Sequence, residues 1–124
     1  MERFSFDTDV AFVPRGDLLD RVTVAPLTAP MSEESGFQAA IFRVAPGGGL
    51  RRHPAGAEPQ IFAVLDGSGA VSGADGIEEP IVSGEAVFWK EGEEHGMKSE
   101  NGLTAIIIEG RHLDRFRGRP QAAS

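Results

Sequence analysis

The chain has 124 residues, a formal charge of −7 and no cysteine. That length fits one domain able to bury a core of its own. The missing cysteine excludes disulfides, a thiolate nucleophile and a thiolate metal site.

In chain order, Met1–Asp7 lacks the basic-then-apolar order of a secretory signal. Phe4, Phe6, Val10, Phe12 and Val13 are spaced to form an N-terminal strand covering a neighbouring layer. A weak helical turn falls near Arg15–Asp20. Sixteen glycines and eight prolines then punctuate short apolar runs, the pattern of short strands joined by tight turns. The expected strands are Arg21–Leu27, Phe37–Val44, Ile61–Leu65, Gly69–Ser72, Ile81–Val82, Ala86–Trp89, His95–Ser99 and Leu103–Glu109. Asp75-Gly76 and Asn101-Gly102 are turn dipeptides, because glycine accepts a positive φ. Ala39–Phe42, Ile61–Leu65 and Thr104–Ile108 are apolar on both faces, which fits a sandwich or barrel with a layer or subunit packed outside. The only other helical candidate is His112–Phe116.

Charge divides the chain into a body and a tail. Residues 1–110 carry 18 acids against 8 bases, whereas 111–124 carry Arg111, Arg115, Arg117 and Arg119 against Asp114. An acidic body repels phosphate backbones, so nucleic acid is not an expected partner. No apolar run approaches the ~18 residues of a membrane span. These features predict a soluble, cytoplasmic protein, with one domain over 1–110 and a solvated basic tail over 111–124.

Two segments carry the functional signal. The first has Gly47, His53 after five intervening residues, Ala55, Gln60 and Gly67. The second has Gly84, Lys90, Gly92, His95 and Ser99. Their spacing resembles the paired motifs of the cupin superfamily, in the small single-domain "cupin 2 conserved barrel" form. The resemblance spans about 37–110. It implies an all-β jelly roll, or double-stranded β-helix barrel. The chain departs from the family pattern at four positions: Ala55 replaces a histidine, Gln60 a glutamate, Lys90 a proline and Ser99 an asparagine.

In this family two histidines and the glutamate of the first motif, with the histidine of the second, hold a divalent metal. Carried over, the resemblance leaves His53, Gln60 and His95 as ligands. The ion would be Zn, Fe, Mn or Ni, with a small organic molecule beside it. Imidazoles suit such ions, while an amide oxygen is a weaker, neutral donor. Three ligands with open positions can still serve catalysis. Glu58, two residues before Gln60, would face the same way on a strand and could supply the missing carboxylate, although Pro59 interrupts them.

Three functions follow: a metal-dependent enzyme of dioxygenase or isomerase type, a non-catalytic ligand-binding barrel with a degenerate metal site, and metal-free acid–base catalysis by His53 or His95 with Glu58. The resemblance also implies a homodimer. Trp89 is read as core, and His112 as surface.

Overall fold

The computed structural model describes residues 1–54 and 56–118. Ala55 and Arg119 therefore lie outside the described residues. Seven strands follow in order: β1 Leu19–Pro26, β2 Phe37–Pro54, β3 Gln60–Ser72, β4 Glu78–Val82, β5 Ala86–Trp89, β6 Glu94–Lys98 and β7 Leu103–Gly110. All pairings are antiparallel. Among the described residues, no helix is long and apolar enough to cross a membrane.

Two long strands, β2 and β3, organise the architecture. The first half of each belongs to one sheet, ordered β1–β2–β7–β3–β5. The second half belongs to another, ordered β2–β6–β3–β4. Since β7 and β6 each bond to both long strands, β2–β7–β3–β6 closes into a hydrogen-bonded ring. This is the all-β jelly roll that the cupin resemblance implies.

Glycine permits both long strands to bend. Gly47 has φ 83° and Gly67 has φ 84°, values that L residues rarely adopt. A Cβ at Gly67 would also collide with the Gly102 carbonyl. Sequence punctuation around Gly67 gives two expected strands, Ile61–Leu65 and Gly69–Ser72, and the chain instead runs through the bend as one, Gln60–Ser72.

The inner faces form the core. Val22, Val44, Phe62, Val64, Met97, Leu103 and Ala105 are buried together, with Trp89 beside them at 1% exposure. The Trp89 indole N–H donates to the Ser72 carbonyl at 3.1 Å, so its one polar group is satisfied.

The N-terminal expectation fails. No strand spans Phe4–Val13; Thr8–Val10 is a 3-10 turn, and only Phe12 pairs, with Val24. Local side-chain bonds compete with a ladder here: Asp7 N–H donates to Ser5 Oγ and Thr8 N–H to Asp7 Oδ1. Phe4, Phe6 and Val13 remain exposed. Neither helical candidate forms. Arg15–Asp20 runs through bends into β1, and at His112–Phe116 the Asp114 side chain takes the Arg115 N–H.

Candidate functional site

Alternation along the strands gives the inner surface two characters. Val24 and Pro26 on β1, Ala40 and Phe42 on β2, and Ile107 on β7 line an open cavity of about 490 Å³. The same cavity is lined by five polar side chains from four strands: Gln38, His53, Gln60, His95 and Glu109. Phe12, Pro14, Arg15 and Leu18, before β1, contribute to its wall.

A β-bulge brings His53 inward. Strict alternation from Leu50, which faces the cavity, would turn Arg52 inward. The β2–β6 register slips between Leu50↔Met97 and His53↔His95, so β2 carries one extra residue. Arg52 instead reaches across the second sheet, donating to Ser72 Oγ at 3.0 Å and the Ala74 carbonyl at 3.2 Å. His53 and His95 become direct cross-strand partners with ring centroids 4.6 Å apart.

Backbone carbonyls fix both imidazoles. His53 Nδ1 lies 2.9 Å from the Arg51 carbonyl and His95 Nδ1 lies 3.1 Å from the Glu93 carbonyl. A carbonyl only accepts, so each Nδ1 carries a proton, and in a neutral ring Nε2 is then the nitrogen with the free lone pair. His95 is fully buried and stacks on Trp89, with centroids 4.2 Å apart and planes at 17°. Burial pushes its pKa below the ordinary 6.5, and the neighbouring His53 pushes in the same direction against the Glu93 carbonyl. His95 is therefore a neutral acceptor at pH 7.

Gln60 and Glu109 face one another as cross-strand partners, with Gln60 Nε2 donating to Glu109 Oε2 at 3.2 Å. On the other side of Glu109 lies Gln38, whose Oε1 accepts the Met31 N–H at 2.7 Å and so ties the β1–β2 loop to the site. His95 Nε2 and Gln60 Oε1 are buried without a hydrogen-bond partner among the described residues. Buried acceptors in this state are costly unless a ligand or ion completes them.

The structure thus brings His53, Gln60 and His95 to one cavity, and leaves Glu58 out of it. β3 begins at Gln60, so the two-residue alternation assumed for Glu58 does not extend back to it. Among the described residues, no group of three His, Cys, Asp or Glu side chains is placed to hold a metal. The donor atoms that His53, His95 and Gln60 bring to the cavity wall are two imidazole nitrogens and one amide oxygen.

Sequence reading missed Gln38 and Glu109. The available signal was strand parity: Gln38 shares a face with Ala40 and Phe42, and Glu109 shares one with Ala105 and Ile107. Trp89 is core and His112 is exposed, as read.

No protein-family model matches the chain, and no curated protein matches it. Solved structures do. The polyketide cyclase RemF from Streptomyces resistomycificus superposes with a TM-score of 0.72 at 25% identity, covering 89% of this chain and 79% of that one. A cupin 2 conserved barrel domain protein from Salinispora arenicola gives 0.70 at 19% identity, covering 90% of each chain. A protein from Thermotoga maritima described as a predicted oxalate decarboxylase gives 0.66 at 22% identity, covering 73% and 80%.

Proposed function

The chain has the cupin fold, and on that premise we propose that it holds a divalent metal ion with His53, His95 and Gln60 and binds a small organic molecule in the cavity beside it. The observation carrying this reading is a pair of buried acceptors, His95 Nε2 and Gln60 Oε1, with no partner among the described residues, on residues that line one cavity with His53. A bound ion would act as a Lewis acid or as a centre for oxygen chemistry. The chain's own residues would orient the ligand: Phe42, Leu50 and Ile107 offer apolar walls and exclude water, while Glu109 and Gln38 offer polar contacts. The fold neighbours include a polyketide cyclase and a predicted oxalate decarboxylase, consistent with enzymatic use of such a cavity.

The second reading is a non-catalytic ligand-binding barrel, favoured by the neutral donor set and the absence of a three-residue His or carboxylate cluster among the described residues. Metal content by ICP-MS separates the two, using tag-free protein beside a His53→Ala/His95→Ala variant. Near-stoichiometric metal in the unmodified chain alone supports the first reading. No metal in either, after incubation with Fe, Mn, Ni and Zn, leaves the second.

We further propose that the outer face of the first sheet packs against a second copy of the chain. Half-buried Ile106 and Ile108 of β7 stand beside half-buried Ile61 of β3, with Leu65 57% exposed. Thr23, Arg43, Thr104 and Asp66 form one cross-strand row on this face. Arg43 and Asp66 line the same shallow depression. A twofold contact would set Arg43 of each copy against Asp66 of the other, a self-complementary arrangement. Light scattering after size exclusion tests it: a dimer that Ile106→Glu dissociates supports the assignment, and a monomer at micromolar concentration overturns it.

A further inference from the structure

Among the described residues, Glu109 is the one carboxylate lining the cavity. It lies on β7 between Gln38 of β2 and Gln60 of β3. An ionised carboxylate only accepts hydrogen bonds, so its 3.2 Å contact fixes which end of the Gln60 amide is which. The NH₂ end is held by Glu109. The oxygen is the end left over, and it is buried with no partner among the described residues.

We propose that Glu109 is the positioning residue of the site. It presents Gln60 Oε1 to a divalent cation and supplies, through the amide, the negative charge that two imidazoles and an amide lack. The inference rests on the divalent-ion reading above. A donor set of His53, His95 and Gln60 is neutral, and a carboxylate one hydrogen bond behind a ligand raises the ligand's basicity. No part of the second motif is needed for this role. The carboxylate stands at Glu109 on β7, facing the first-motif position that Gln60 occupies.

The test is a titration of the full chain with Ni²⁺ alone. It is followed by equilibrium dialysis and by quenching of Trp89, the single tryptophan, stacked 4.2 Å from His95. Glu109→Gln keeps an acceptor for the Gln60 amide and removes the charge; affinity is expected to fall about tenfold. Glu109→Leu removes both and is expected to weaken binding up to about a hundredfold. The exchange Gln60→Glu/Glu109→Gln moves the carboxylate to the ligand position and preserves a hydrogen bond between the pair; affinity should return at least to the starting value. Thermal unfolding of the metal-free variants checks that each folds, and the exchange keeps the inference falsifiable if Glu109→Leu does not. Equal affinity in the unmodified chain and both Glu109 variants overturns the role of Glu109 while leaving the metal site standing. A loss in Glu109→Gln that the exchange does not restore also overturns it. No Ni²⁺ binding by the unmodified chain removes the divalent-ion reading, and this inference with it.

Discussion

The two ends of the barrel are built from the same strands and put to opposite uses. At one end the inner positions of β1, β2, β3 and β7 hold Val22, Val44, Phe62, Val64, Leu103 and Ala105, all buried against one another. At the other end the inner positions of β2, β3 and β7 hold Gln38, Gln60 and Glu109, joined by His53 and His95 around open space. The alternation that packs the first end delivers the polar groups of the second. Apolar packing is complete at the first end, and buried acceptors are left without partners among the described residues at the second. Trp89 spans the boundary, packing near Phe62 on one side and stacking on His95 on the other.

Removing the largest packed side chain of the closed end breaks this contrast most directly. Phe62, 1% exposed, should cost about 3–5 kcal/mol as Phe62→Ala, read by urea unfolding. His53→Ala, at a half-buried position whose Nδ1 meets an exposed carbonyl, should cost less than about 1 kcal/mol. Comparable losses would mean that the open end also carries the fold.

At the boundary the expected effect is intermediate. Trp89→Phe removes the N–H donated to the Ser72 carbonyl and part of the stack on His95. A loss of about 1–3 kcal/mol is expected, and no loss would show that the boundary bond is not stabilising.

The smallest expected effect is a pH dependence of the metal-free protein. Because burial lowers the His95 pKa, the unfolded chain takes up a proton near 6.5 that the folded chain refuses. The contribution of His95 is therefore complete above 6.5 and declines as pH falls below it, with a slope of at most about 1.4 kcal/mol per pH unit. Urea midpoints at pH 7.5 and 5.5 should diverge less in His95→Asn than in the unmodified chain. An equal divergence would show that His95 titrates normally in the folded state.

How much of this was legible in the sequence depends on the kind of signal. Glycines at bends, such as Gly47 and Gly67, and apolar runs such as Thr104–Ile108 are local, and they located most strands and an all-β sandwich or barrel; the jelly roll came from the resemblance to the cupin motifs. The placement of His53 depends on a bulge at Arg51–Arg52, which shows only once β6 is paired alongside. The N-terminal phenylalanines have strand-like spacing, yet Ser5 and Asp7 satisfy the backbone locally and only Phe12 pairs. Glu58 looked suitable by a two-residue offset that requires a strand, and the strand begins after it. Glu109 is 49 residues from Gln60, and its role appears only when β3 and β7 lie side by side.

The central claim is that the open end is a cation site made by His53, Gln60 and His95. Anomalous diffraction from crystals soaked in Co²⁺ tests it most directly. The account predicts one strong peak about 2.0–2.2 Å from both Nε2 atoms and Gln60 Oε1. At saturating Co²⁺, no peak in the cavity, or a peak coordinated elsewhere with both imidazoles unengaged, would contradict it.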